Sequence, residues 1–262
     1  MAWTIDLSGQ VSLVTGGATG IGAATCLGFA DAGSNIAVNH YPSERDRAAA
    51  AELVEQLTGK GVEAIAVEAD ITDESAVNKM VEEIINKWGR IDNLFNNAGI
   101  IIKEGKMHEL SYSTFKKIIQ VPVDGTFLVT KACLPYMLER KCGDIVMMGS
   151  GTTQNGGGDS VAYPAGKAAV EGMMAQMVNE YADQGIRVNT IRPMVIMTPI
   201  MRARYTDEAY EEYCKHLPMH RGGTSEEVAN LVVYLCDRER SGFILGARID
   251  VDGGRIHHVR FR

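Results

Sequence analysis

The sequence predicts a single doubly wound α/β domain over residues 1–262, with a mostly parallel sheet of about seven strands and helices on both faces. Three observations carry this expectation. Short apolar or β-branched runs alternate with longer helical patterns along the whole chain. The first of those runs is followed at once by the glycine-rich turn Gly16–Gly22 and then by helical spacing, the order strand, turn, helix. No Pro/Ser-rich linker or composition break divides the chain into two domains.

Val11–Thr15 reads as the first strand, and Ala23, Leu27, Phe29 and Ala30 set the apolar spacing of the helix that ends at Gly33. Asn35–Asn39 is the second strand, and a helix runs from Ser43 to about Thr58. Glu63–Glu68 and Asp92–Phe95 are the next strands, separated by a helix from Asp73 to Trp88 whose Glu82, Glu83 and Lys87 form a solvated face. A long helical region spans Ser111–Arg140, interrupted by Pro122 and Gly125. Ile145–Met148 is an unbroken apolar run, as expected of a strand buried on both faces, and it delivers Ser150. The second long helix extends from Tyr163 to Gln184, followed by a strand at Ile186–Ile191, a polar helix-like segment at 200–217, a helix at Ser225–Cys236 and a last strand at Ala247–Val251.

Lysine and arginine number 26 against 33 aspartate and glutamate, a formal net charge of −7, and no basic stripe is present to follow a phosphate backbone. Nucleic acid is therefore excluded as the principal partner. Five scattered cysteines without C-x-x-C spacing read as free, packed thiols, and no metal site is expected. The opening residues lack a positively charged segment before an apolar core, and no apolar run reaches the ~18 residues needed to span a bilayer, so a cytoplasmic location is expected.

The chemistry concentrates in Ser150–Lys167. Tyr163 and Lys167 stand four residues apart at the start of a helical pattern, so they share one face. A phenol titrates near pH ~10, and a neighbouring ammonium is expected to favour the phenolate and bring Tyr163 into range as a general acid/base. Ser150 lies thirteen residues upstream at the carboxyl end of a strand, where open α/β sheets hold their ligands. In the turn, Gly16 permits a tight bend, Gly20 lets the backbone approach a pyrophosphate, and Gly22 allows close packing, while the helix N-terminus presents unpaired N–H groups to the anion.

Thr15-Gly-x-x-x-Gly-Ile-Gly22, Asn96-Asn-Ala-Gly99, a serine thirteen residues before Tyr163-x-x-x-Lys167, and Arg192-Pro-x-x-x-x-Thr-Pro199 together resemble the short-chain dehydrogenase/reductase family, in that family's order, from about Leu7 to Gly254. The resemblance implies a Rossmann-like fold and reversible hydride transfer between a nicotinamide dinucleotide and a carbonyl or secondary alcohol. It implies Ser150, Tyr163 and Lys167 as the catalytic set, with Lys167 also holding the nicotinamide ribose. It implies cofactor contacts from Gly16, Thr19, Gly20, Ile21, Gly22, His40, Tyr41, Asp70, Ile71, Asn97, Ala98, Gly99, Tyr163, Lys167, Pro193, Ile196 and Thr198. Asp70 fits a turn or cap equally well. The segment 200–217 takes the place of the substrate lid, where Arg202, Arg204, Lys215 and His216, with Arg221 beyond it, suit either a solvated face or an anionic substrate. The tail's His257 and His258 are expected at a subunit contact.

Three departures mark this chain. No acidic residue follows the second strand; His40 and Tyr41 stand there with Arg45 and Arg47 behind, which favours NADP(H) over NAD(H). Met194 replaces a glycine of the family pattern. Pro122 replaces an asparagine of its catalytic set; proline forces a bend and leaves the carbonyl of Ile118 without its helical partner, so a water between Ile118 and Lys167 is expected to keep the proton relay. The alternative is a non-catalytic dinucleotide-binding protein, or a family member with altered activity. A homotetramer or homodimer is expected through the two long helices, with Met173, Met174 and Met177 on the contact surface.

Overall fold

The computed structural model describes residues 4–202 and 205–255. Arg204, His257 and His258 lie outside the described residues. Seven strands form one sheet in the order β3-β2-β1-β4-β5-β6-β7: β1 (Val11–Val14), β2 (Asn35–His40), β3 (Ala64–Glu68), β4 (Asn93–Asn96), β5 (Gly143–Met148), β6 (Ile186–Pro193) and β7 (Arg248–Val251). Every pairing is parallel, so the sheet is more regular than the mostly parallel one expected.

The helices are α1 (Gly20–Asp31), α2 (Glu44–Gly59), α3 (Glu74–Trp88), α4 (Tyr112–Gln120), α5 (Thr126–Glu139), α6 (Thr152–Asn155), α7 (Ala162–Tyr181), α8 (Pro199–Arg202), α9 (Asp207–Cys214), α10 (Ser225–Cys236) and α11 (Arg238–Ser241). Parallel neighbours need crossover connections, and the intervening helices cover both faces. One apolar layer packs Leu13, Leu94 and Ile145 against Val81, Val129 and Met174 of α3, α5 and α7. The other packs Val14, Phe95 and Val146 against Phe29, Leu53 and Val232 of α1, α2 and α10. Strands β1, β4 and β5 are accordingly buried at every residue, the continuous apolar runs seen in the sequence.

Chain order turns back between β1 and β4, which opens a crevice beyond their carboxyl ends where such sheets bind ligands. Helix ends record the same polarity. Ser43, Asp73 and Thr224 each cap a helix N-terminus with the side chain, and Thr224 completes a capping box with Glu227. Thr19, at the N-terminus of α1, makes no such bond, so the first N–H groups of that helix stay open to the crevice.

Pro122 interrupts the long helical region as predicted, but the interruption is a π turn, Val121–Gly125, bonded i to i+5 and continuous with α4 and α5. Its ring lies on Gly166 of α7, where a Cβ would come within 2.9 Å of the Pro122 Cγ. The methionines of α7 divide differently from expectation: Met174 and Met177 are core residues, because α7 turns that face to the sheet, and only Met173 is partly exposed. Among the described residues no helix is long and apolar enough to cross a membrane.

Candidate active site

The site assembles where β1, β4, β5 and β6 end. Gly16 and Gly20 adopt left-handed φ of 58° and 56°, which side chains resist, and a Cβ on Gly22 would lie 2.3 Å from the Gly16 carbonyl. Gly22 thus presses α1 against the loop itself. Asn97 fixes the other wall: its Nδ2 donates to the carbonyls of Thr15 (2.9 Å) and Gly16 (3.1 Å), while Thr15 Oγ1 accepts from the backbone N–H of Asn97 and Ala98. Thr198 and Pro199 lie over Gly20, within 3.4–3.7 Å of where its Cβ would stand.

Ser150 leaves β5 almost fully buried. Its Oγ accepts from Thr152 twice, from Oγ1 at 3.0 Å and from the backbone N–H at 3.3 Å, so its own proton is free to point elsewhere. It points to Tyr163. Burial pushes the Tyr163 phenol above the usual value, and the hydrogen bond from Ser150 opposes that rise. Lys167 Nζ lies 5.9 Å from the Tyr163 ring centroid and donates to the Met148 carbonyl at 2.7 Å; burial brings its pKa down to about 8. The expectation that the ammonium lowers the phenol is therefore corrected. Desolvation dominates both groups, and at neutral pH the phenol holds its proton.

These residues share one cleft of about 1160 Å³, lined also by Thr19, Ile21, His40, Tyr41, Asp70, Ile71, Ala98, Gly99, Pro193, Ile196 and Thr198. The cleft fits a dinucleotide: it combines the uncapped N-terminus of α1, the glycine bend and a buried ammonium whose one protein acceptor, among the described residues, is Met148. Some predicted contacts have other duties as well. His40 is buried, with Nδ1 3.0 Å from the Tyr41 carbonyl, and Ile71 packs into the space above Gly125. Asp70 Oδ1 accepts from the N–H and hydroxyl of Thr72, the turn role, while the residue still faces the cleft.

Residues 16–255 match a family described as enoyl-(acyl carrier protein) reductase. The chain is 36% identical over 250 residues to a 3-oxoacyl-[acyl-carrier-protein] reductase of Aquifex aeolicus, covering 95% of this chain and 98% of that one. The chain belongs to the short-chain dehydrogenase/reductase family. It is an oxidoreductase of that family. Glucose 1-dehydrogenase 2 of Bacillus subtilis is 33% identical over 95% of each chain. The solved structure of levodione reductase superposes with a TM-score of 0.88 at 30% identity, covering 96% of this chain and 99% of that one.

Within this short-chain dehydrogenase/reductase, the motif residues converge and the described basic residues of 202–221 do not. Arg202 pairs with Asp207, Lys215 and His216 with Glu212, and Arg221 with Glu227, all at the surface. Met194 takes the glycine position without left-handed strain; φ of +58° falls instead on Val195, whose carbonyl accepts from Tyr210 Oη (3.1 Å) and the Gly223 N–H (3.0 Å). Sequence reasoning missed that pair, and it missed the run Gly156, Gly157, Gly158 and Asp159, all left-handed and all on the cleft. The triple glycine is visible in the sequence. A Cβ at Gly158 would stand 2.3 Å from the Tyr163 ring, so this loop is the flat wall against which the phenol rests.

Proposed function

We propose that the protein reversibly reduces a carbonyl to a secondary alcohol with Tyr163 as the proton donor. The observation that carries this reading is the convergence of Ser150, Tyr163 and Lys167 at the end of a dinucleotide-sized cleft. When bound, the nicotinamide dinucleotide supplies or accepts the hydride. Tyr163, protonated at neutral pH like any phenol and held more firmly so by burial, gives its proton to the carbonyl oxygen. Ser150, held from behind by Thr152, directs a hydrogen bond to the same oxygen as charge develops on it. Lys167, anchored on the Met148 carbonyl, holds the ribose hydroxyls with its remaining N–H groups and lies in line to restore the proton.

NADP(H) is favoured over NAD(H). Arg45 lines the cleft beside Tyr41 and carries the preference, whereas Arg47 pairs with Glu68 at 2.5 Å and is not among the residues lining the cleft. The enzyme so read is cytoplasmic, with five unpaired thiols, and forms a homotetramer or homodimer.

The test is cofactor oxidation followed at 340 nm across a panel of ketones, with wild type, Tyr163→Phe and Arg45→Ala. Tyr163→Phe should lose at least about a thousandfold in kcat with dinucleotide affinity retained. Arg45→Ala should lower kcat/KM for NADPH about tenfold and leave NADH within a factor of two. Full activity in Tyr163→Phe would remove the proton-donor assignment; a wild-type preference for NADH would remove the cofactor assignment. Retained binding with no turnover in wild type would favour the non-catalytic alternative.

A further inference from the structure

The cleft holds a cation that neither the motif set nor the basic residues of 202–221 account for. Arg255 follows β7 in a turn, its N–H bonded to the Asp252 carbonyl, and its side chain reaches back over the end of β6. There Nη1 lies 3.5 Å from Met194 Sδ and Nε donates to the Tyr213 hydroxyl at 2.8 Å. Among the described residues no carboxylate pairs with it, while the cations Arg202, Lys215 and Arg221 each have one.

Strand register fixes where this guanidinium stands relative to the chemistry. Met148 is level with Ile191, which places Ser150 level with Pro193, and Pro193 is level with Val251. Pro193 and Val251 thus end β6 and β7, and Ser150 stands two residues beyond the last paired residue of the adjacent β5. Neighbouring strands lie about 4.8 Å apart, so the end of β7 is roughly 10 Å from Ser150. An arginine side chain reaching back from that end covers much of the gap. The wall between is Met194, apolar and unbranched, with Ile200 and Met201 on the same cleft.

We propose that Arg255, oriented by Tyr213, binds a carboxylate on the substrate, making the substrate class a short oxo acid or the matching hydroxy acid, with a few carbons between carbonyl and carboxylate. This rests on the proposed carbonyl reduction for the position of the carbonyl. Arg255 lines the cleft, and a planar guanidinium suits the two oxygens of a carboxylate. A neutral ester or ketone would leave the guanidinium without an ionic partner.

The experiment compares 3-oxobutanoate, 4-oxopentanoate and 5-oxohexanoate with their methyl esters, in wild type, Arg255→Gln and Lys117→Gln, the last removing an exposed cation on the same cleft. Wild type should prefer at least one acid over its ester by tenfold or more in kcat/KM. Arg255→Gln should erase that preference by lowering the acid's kcat/KM about a hundredfold and the ester's less than threefold, with dinucleotide KM unchanged, and Lys117→Gln should keep it. Esters turned over as well as acids by wild type, or equal losses for both in Arg255→Gln, would overturn the assignment and leave the carbonyl reduction standing. If no ketone is turned over, saturation-transfer NMR of 4-oxopentanoate on the dinucleotide-loaded protein decides separately. Binding lost in Arg255→Gln upholds the anion site although the reductase reading falls; binding unaffected by Arg255→Gln overturns it.

Discussion

Tyr210 of α9 donates its phenolic hydrogen bond to the carbonyl of Val195, a β-branched residue held at φ 58°. A left-handed β-branched residue carries strain of order 1–3 kcal/mol and persists only where its neighbours hold it. Here the holding group belongs to α9, and the strained peptide belongs to the turn that carries Ile196 and Thr198 over the glycine loop. That hydrogen bond links the position of α9 to the conformation of the turn.

Tyr210→Phe should expose that coupling. Loss of one hydrogen bond costs about 1 kcal/mol and about 2–4 °C in Tm. Dinucleotide KM should rise several-fold while kcat changes little. Gly222→Ala should act in the same direction and more strongly, because a Cβ there would stand 1.7 Å from the Tyr210 hydroxyl. An unchanged KM in both variants would show that α9 and the turn move independently.

A second expectation concerns proton balance at Lys167. Its folded pKa is about 8 against an ordinary 10.5, so between those values the unfolded chain holds the extra proton and stability rises with pH. The slope approaches about 1.4 kcal/mol per pH unit for one proton. Above about pH 10 the raised Tyr163 phenol acts in the opposite sense, since the folded state then keeps a proton the unfolded chain has lost. The buried thiols of Cys26, Cys133 and Cys236, raised by burial, also act in the opposite sense as pH nears 9. The Lys167 contribution is therefore read as the stability difference between wild type and Lys167→Met, in urea unfolding of the dinucleotide-free protein at pH 7.5, 8.0 and 8.5, and it should rise with pH. A difference that does not change with pH would mean that Lys167 is not desolvated as its burial indicates.

Pro122 offers a third. Replacing it with asparagine restores a side-chain amide near Gly166 and Lys167, and a relay limited by that missing amide should recover about tenfold in kcat, or 1.4 kcal/mol in the barrier. No change in kcat, with the fold retained by circular dichroism, would assign Pro122 to shaping the π turn and nothing more.

The fourth concerns assembly. Phe127 on α5 is 53% exposed and stands with Val123, Leu128 and Met173 around a shallow groove between the two long helices. Phe127→Glu should reduce the mass seen by light scattering at micromolar concentration from tetramer or dimer towards monomer. Wild type that is already monomeric would end the expectation.

The sheet and its order of elements were legible because both depend on local periodicity: Ile145–Met148 can only be a strand buried on both faces, and α3 repeats its apolar residues at helical spacing. The glycine loop, Ser150, Tyr163 and Lys167 were legible as spacing. What the sequence concealed depends on partners distant in the chain. Arg47 looked as available as Arg45, but Glu68 on the neighbouring strand takes it. The cations of 202–221 suited either a solvated face or an anionic substrate on spacing, and the surface ion pairs of Arg202, Lys215 and Arg221 agree with the former, whereas Arg255, which lines the cleft, sits in a tail with no periodic pattern. Tyr163 and Lys167 share a helix face as predicted, yet their titration follows burial, a property of the assembled cleft.

Gly158 divides the surroundings of Tyr163 into a side that can vary and a side that cannot. A methyl group at 158 would meet the phenol ring at 2.3 Å, so a side chain there would displace Tyr163. Opposite, Met194, Ile200, Met201 and Tyr205 are side chains that tolerate exchange. Descendants of this sequence that acquire new substrates should therefore differ along 194–205 and share the glycine run, and a library meant to redirect the enzyme gains nothing by diversifying both walls.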